Sequence, residues 1–369
     1  MKILFLTQNQ ASFRMDWLDQ IALYADVKVF HLNEYEPGVN SKFVSSTPNK
    51  VVCEDVSIKL FGKKFYNPYK IFKETYDVLI LDGYGFLGQQ SIILLLKLAN
   101  KRFIMSIDGG FIKAHENPIR RSMKTFLISS ADAFLSTGGK TDEFIRFYNK
   151  KGKSACIYRH KFSSVHLDEI SEIPNQREKE NLRKKWHIEN RFTIICVGRI
   201  IPEKGFDVLI QTLEYLPRDV QICFAGAGDV AFLEPYINPK NKDRIFFLGH
   251  FDRKQLNEIY RCADVFVLPT RGDVWGLVVG EAMAKGLPVI TTDKCLAGTE
   301  MIKNGENGYI YPVEDVIALA HAIELIYNNP MLKIKMGQNN IELIRQYAIE
   351  NAAQDDVKNL MSLFEKRDL

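Results

Sequence analysis

Short apolar runs alternate with segments of helical spacing along the whole of this chain, and few folds tolerate that alternation. Residues 2–6, 27–32, 78–81, 103–107 and 133–136 read as strands in the first half, with helices predicted over 15–24 and 91–99. In the second half, 192–198, 220–225, 245–251 and 263–269 read as strands running into turns. Helices are predicted there over 254–261, 277–285, 316–327, 331–345 and 355–366. Strands separated by helices are joined by crossovers and so run parallel, with helices on both faces and a site at the carboxyl ends of the strands. At 369 residues the chain exceeds what one core usually fills, and 46% apolar residues suffice for two. The expected organisation is α/β, with two doubly wound parallel-sheet domains at 1–165 and 189–345. A polar linker at 166–188 and a final helix at 346–369 complete it.

Several classes are excluded by what the chain does not contain. No repeat or low-complexity tract stands out, and the longest apolar runs are too short to span a bilayer. Met1 and Lys2 lead into only four apolar residues, so the start reads as a strand and not a signal peptide. Cysteines at 53, 156, 196, 223, 262 and 295 have no metal-ligand spacing and read as buried reduced thiols of a cytoplasmic protein. The net charge of +4 hides an asymmetry: residues 1–165 hold 24 Lys and Arg against 15 Asp and Glu, and the rest hold 25 against 30. Nucleic acid is not indicated, because the cations are not interleaved with aromatics in a recognised module.

The chemistry concentrates in two places in the second half. In the first, a buried strand at 263–269 gives way to a loop at 270–276 and a helix from Leu277, with Asp273 in the loop and Glu281 one turn into the helix. Free amides at a helix start favour an anion such as a diphosphate. Glu281 is suited to sugar or ribose hydroxyls, and Asp273 faces the same place; alternatively Glu281 pairs with a cation and Asp273 only shapes the turn. In the second, the strand at 192–198 enters a turn bracketed by Arg199 and Lys204, whose charges suit a diphosphate, or are two solvated surface cations. Gly226, Ala227, Gly228 and Ala231 fit a dinucleotide-turn pattern, but in the second strand-helix unit of the domain, which favours a turn lining a nucleotide site.

Together these segments, over roughly residues 190–350, resemble the donor-binding half of the retaining glycosyltransferases of family 4, which have the GT-B fold. In that family an acid, seven residues and a glutamate recur in the frame of Asp273 and Glu281, and a Gly-Arg pair followed by Lys-Gly recurs as Gly198, Arg199, Lys204 and Gly205. The resemblance implies that Arg199 and Lys204 hold the diphosphate and Glu281 the ribose. It assigns the transferred sugar and phosphate to Asp273 with the amides of Gly276, Leu277 and Val278. The turn at Gly249, His250 and Phe251 is placed near the base, for contact through its backbone, or is a plain strand end, and Gly226 is placed in the nucleotide cleft between two Rossmann-like domains. The first acid is usually glutamate; aspartate here is one methylene shorter, which leaves sugar identity open.

The first half matches the family less closely. Asp108, before Gly109 and Gly110, ends a strand where many relatives place a histidine facing the reacting carbon. A carboxylate there suits proton transfer from an acceptor hydroxyl, or it caps a helix or holds the glycine turn. Gln8, Asn9 and Arg14 are read toward the acceptor side, and His160 and Lys161 toward phosphate. Residues 115–128 mix His115, Arg120, Arg121 and Lys124 with apolar residues at helical spacing, and Lys150, Lys151 and Lys153 follow. That suits an anionic membrane surface or a lipid-linked acceptor, or an ordinary amphipathic helix.

The resemblance implies a retaining, metal-independent transfer of a hexose-type sugar from a nucleoside diphosphate sugar, most often a uridine one. The acceptor is a hydroxyl of a glycan or lipid-linked molecule in surface polysaccharide synthesis. No cofactor and no metal are expected, since no Asp-x-Asp motif occurs. Two other classes remain: a sugar-nucleotide binder without catalysis, suggested by aspartate at 273 and 108, and a nicotinamide-dependent oxidoreductase built on Gly226.

Overall fold

A computed structural model describes residues 1–34, 50–112 and 115–365, with the side chains of residue 153 and of 363–365 excepted. Lys153 and Lys366, the predicted end of the last helix, fall outside what is described. The chain divides into two compact units, Met1–Ser163 with Ile349–Leu369, and Ser164–Ala348.

The first unit carries the strands β1 (Lys2–Thr7), β2 (Asp26–His31), β3 (Val52–Asp55), β4 (Ser57–Leu60), β5 (Lys63–Tyr66), β6 (Val78–Asp82), β7 (Ile104–Ile107), β8 (Ala133–Ser136) and β9 (Ile157–Arg159). Seven of them form one parallel sheet in the order β3-β2-β1-β6-β7-β8-β9, while β4 and β5 make a separate antiparallel hairpin. Helices α1 (Ser12–Ile21), α2 (Pro68–Lys73), α3 (Leu87–Leu98), α4 (Pro118–Ser129) and α5 (Gly139–Tyr148) intervene. Alternate strand residues feed two cores, as a two-sided sheet requires. Leu4, Leu6, Leu79, Leu81 and Met105 pack with α3 and α5 on one face, and Ile3, Phe5, Ile80 and Ile104 pack with α1 on the other.

In the second unit come α6 (Gln176–Lys185), β10 (Phe192–Val197), α7 (Phe206–Gln211), β11 (Val220–Ala225), β12 (Ile245–Gly249), α8 (Arg253–Cys262), β13 (Val265–Leu268), α9 (Leu277–Met283), β14 (Val289–Thr292), α10 (Leu296–Met301), β15 (Gly308–Tyr311), α11 (Val316–Tyr327) and α12 (Pro330–Tyr347). The sheet order is β12-β11-β10-β13-β14-β15, all parallel. Numbered within its unit this is 3-2-1-4-5-6, the doubly wound order whose direction reverses between the first and fourth strands.

Residues 166–188, expected to link two domains, are part of the second unit. Asn175 caps α6, and Arg183 is buried with its guanidinium on Asp264 at 2.7 Å and on the Cys262 carbonyl at 2.9 Å. The last helix, α13 (Ile349–Glu365), belongs to the first unit, where Ile349, Ala353, Val357 and Leu360 fill the core beside α1. Buried Asp356 accepts the Trp17 indole N–H at 2.8 Å. Among the described residues no helix is long and apolar enough to cross a membrane.

Candidate functional site

In the second unit the reversal point falls between β10 and β13, and the loops leaving both strands carry the residues singled out above. The two loops are tied to each other. Glu203 accepts from the Arg271 N–H at 2.9 Å and from the Thr270 hydroxyl at 3.1 Å, and the Arg271 guanidinium forks onto Asp207 at 2.6 and 3.0 Å. Hydrogen bonds that Arg271 donates to Asp207 and Glu314 hold it above even its ordinary high pKa, so this clamp stays charged. Across it, the Lys204 ammonium donates to the Asp273 carboxylate, with the two side chains 19% and 16% exposed. Arg199, at the exit of β10, is exposed and makes no ion pair among the described residues. The Lys204–Asp273 pair is neutral, and Arg199 on the same loop adds one unpaired positive charge among the described residues.

The loop bearing Asp273 is fixed from the opposite side as well. Asp273 N–H donates to the Lys294 carbonyl at 2.9 Å, Leu296 N–H returns a bond to the Asp273 carbonyl at 3.2 Å, and Ala297 N–H bonds the Trp275 carbonyl at 2.8 Å. Gly276 then turns the chain into α9 with φ 96°, a left-handed conformation; a Cβ on it would meet Cys295 Sγ at 2.9 Å. The α9 start at Leu277 and Val278 so follows directly on the acid, as the sequence implied. One turn later Glu281 accepts from Ser164 Oγ and Tyr260 Oη, each at 3.0 Å. Burial, with the Glu281 carboxylate beside it, holds the Tyr260 hydroxyl well above its ordinary pKa, so it remains a donor. Glu281 is thus oriented by two hydroxyls, and the simple pairing with a cation is not what is found. Nothing in the sequence signalled Ser164, Tyr260, Asp207 or Arg271, which lie 21 to 117 residues from their partners.

Gly226 and Gly228 have a structural explanation. A Cβ on Gly226 would lie 1.8 Å from the Gly198 carbonyl oxygen, and one on Gly228 would lie 2.4 Å from that of Ile200, because the chain leaving β11 runs hard against the chain leaving β10. Only a 3-10 turn at Ala231–Tyr236 follows, so no α-helix start is presented to a pyrophosphate, and the nicotinamide reading loses its basis. Gly249 accepts the Gly226 N–H at 2.8 Å and is exposed with His250. The Phe251 ring packs edge-on against Trp186 at 5.3 Å.

In the first unit Asp108 follows β7, and its neighbours were only partly foreseen. Arg14, expected to line the acceptor side, is buried under the carboxyl end of the sheet, ringed by Phe5, Phe13, Trp17 and Phe162. Its Nη2 bonds both Asp108 oxygens at 2.8 and 2.7 Å and Asp82 Oδ1 at 3.0 Å. Asp82, which ends β6 across the reversal point of this sheet, also accepts the Thr7 hydroxyl at 2.9 Å. Burial, and Asp108 nearby, push the Asp82 carboxyl above its ordinary pKa despite Arg14. Both carboxylates keep an outward side, 21% and 29% exposed. Among the described residues Asp108 caps no helix: α4 is capped by Asn117, and the Asp108 carbonyl is held by Thr137 Oγ1 at 2.7 Å. Gly109 follows it directly and is half-buried. Gln8 and Asn9 fasten the segment after β2, the Gln8 carbonyl accepting from Leu32 and Glu34 and the Asn9 amide donating to Glu34 at 3.0 Å. His160 is buried with its Nδ1 3.4 Å from Asp356, and Lys161 pairs with Asp355 at 3.4 Å.

Residues 178–343 match the family described as glycosyl transferases group 1. The match falls within the second unit. Among its relatives, the alpha-D-kanosaminyltransferase of Streptomyces kanamyceticus is 22% identical over 272 residues, 72% of this chain and 69% of the relative. The GDP-mannose-dependent alpha-(1-6)-phosphatidylinositol monomannoside mannosyltransferase of Mycolicibacterium smegmatis is 26% identical over 269 residues, 68% and 66% of the two chains. In fold, the chain matches Anabaena HepE in complex with UDP at a TM-score of 0.78, covering 98% of this chain and 100% of that one at 17% identity. The architecture is accordingly GT-B.

Proposed function

We propose that this transferase moves a hexose-type sugar, with retention at the anomeric carbon and without a metal ion, from a uridine diphosphate sugar to a hydroxyl of a glycan or lipid-linked acceptor. Surface polysaccharide synthesis is the setting we assign. The observation that carries the reading is the convergence of Arg199, Lys204 and the Asp273 loop at the reversal point of the second sheet. There a diphosphate takes Lys204 from Asp273 and gains exposed Arg199, and two cations do for the leaving group what a divalent ion does elsewhere. Asp273, released, accepts hydroxyls of the sugar, aided by the Gly276, Leu277 and Val278 backbone. Glu281, held by Ser164 and Tyr260, accepts the ribose hydroxyls, and the Gly226 and Gly249 turns approach the base. On the first unit, Asp108 receives the acceptor proton or steadies positive charge on the sugar ring.

A guanosine donor is the competing assignment, since one relative is named as GDP-mannose-dependent whereas the solved fold relative is held with UDP. For the acceptor, α4 supports a membrane-side reading: Ile119, Met123 and Phe126 are 79%, 46% and 43% exposed on one helical face beside Arg120 and Arg121. Cosedimentation with anionic vesicles, lost in Ile119→Glu, tests that part. The catalytic assignment is tested by Arg199→Ala and Lys204→Ala. Each is expected to lower kcat about 100-fold or more with the melting point retained, the scale of losing one charge-stabilising donor. Unchanged turnover in both sinks it.

A further inference from the structure

At the amino edge of the second sheet, opposite the donor loops, lies a groove of about 840 Å³ with Ile173, Pro174, Ile334 and Ile341 in its walls. Its floor is Asp264, just before β13. Lys179 and Lys333 both donate to the same oxygen of Asp264, at 3.0 and 2.8 Å, and Arg183 takes the other oxygen at 2.7 Å. One carboxylate therefore faces three cations in a place where Asp264 is 8% and Lys179 12% exposed. Burial, with Lys333 and Arg183 close by, lowers Lys179 below its ordinary pKa in spite of Asp264.

The ammonium donors are not used up. Lys179 spends one on Asp264 and one on the Ala263 carbonyl at 2.8 Å; Lys333 spends one on Asp264. Of the three N–H groups each carries, one and two are left, and both side chains line the groove. Because they share one oxygen, the two nitrogens are no more than about 6 Å apart, a span that two oxygens of one tetrahedral anion bridge. Glu172, Glu342 and Arg345 stand at the exposed rim, where water and salt screen them; the floor charges are not so screened.

We infer that this groove is a second ligand site, which takes a phosphomonoester on Lys179 and Lys333. The floor carries two uncompensated positive charges, and a phosphomonoester brings nearly two negative ones at neutral pH. A carboxylate would leave one unmatched. Its organic part would lie along the isoleucine walls, from either a soluble phosphate ester or a lipid headgroup.

The test is thermal melting of the full chain in inorganic phosphate against chloride at equal ionic strength. It is repeated in Arg199→Ala/Lys204→Ala, which removes phosphate binding at the donor loops. A rise of about 2–4 °C at tenfold excess over Kd is expected in both proteins. It should vanish in Lys333→Gln and in Ile334→Glu, the latter placing a carboxylate in the wall at a side chain 42% exposed and so sparing the core. No rise in the double variant, or the same rise in Lys333→Gln and Ile334→Glu, overturns the proposal. Glycerol 3-phosphate and dihexanoyl phosphatidate then separate the sources, since tighter binding of the second means a lipid headgroup.

Discussion

Lys204 and Asp273 neutralise each other across 69 residues of sequence, so under the proposed function the pair is a latch that a diphosphate opens. Asp273→Asn removes the competitor and keeps the shape. Nucleoside diphosphate affinity should hold or tighten while sugar transfer falls about tenfold or more, a split that calorimetry and turnover read separately. Parallel loss of both would mean that the carboxylate only supports the loop. A Cβ at Gly226 has no room beside the Gly198 carbonyl, so Gly226→Ala should cost about 3 kcal/mol, seen as a drop in the denaturation midpoint. At this scale the sequence was legible where spacing is local: Gly198-Arg199 with Lys204-Gly205, and Asp273 with Glu281, lie within single strand-loop-helix units. It was silent about Ser164 and Tyr260 on Glu281 and about Arg14 and Asp82 on Asp108. Those partners arrive from other elements and have no period or motif of their own.

Among the elements, α13 shows how a terminal helix is fastened. Four apolar residues fill the core beside α1, and Asp356 accepts from Trp17 in a setting where neither side chain sees water. Asp356→Ala leaves the indole N–H unpaired and should cost the first unit about 1–3 kcal/mol, measured as earlier unfolding. Helices with a full apolar stripe were legible, as at α11 and α12. The strands β3, β9 and β15 were not foreseen, and neither was the β4–β5 hairpin. They are three or four residues long and half polar, at sheet edges or outside the sheet, where pairing rather than hydrophobic pattern decides. The stretch at 166–188 reads as a linker because polar and charged residues of both signs dominate its composition. Its burial rests on Arg183 and Lys179 meeting Asp264, 81 and 85 residues away.

Over the whole molecule, acid should act on the second unit through Glu169. Burial alone would raise its carboxyl, but the Arg253 guanidinium, at 2.5 Å to each oxygen, and the His166 N–H at 3.0 Å outweigh that and pull it down to about 2. A carboxyl depressed by folding contributes stability above its unfolded pKa and loses it as the pH falls through the folded value. The contribution is therefore complete above about pH 5 and fades toward pH 2. Because Arg253 is 45% exposed, screening leaves about 1–2 kcal/mol of it. Glu169→Gln should lower the melting point at pH 7 and bring the two proteins together near pH 2; a constant gap across that range would refute the linkage. The central claim, that the second unit holds a nucleoside diphosphate on Arg199 and Lys204, is tested most directly by metal-free thermal melting with UDP, GDP, ADP and reduced nicotinamide. Stabilisation by UDP, or by GDP in the competing assignment, that disappears in Lys204→Ala is the predicted result. Stabilisation by nicotinamide alone, or by a diphosphate equally in Lys204→Ala, would contradict it.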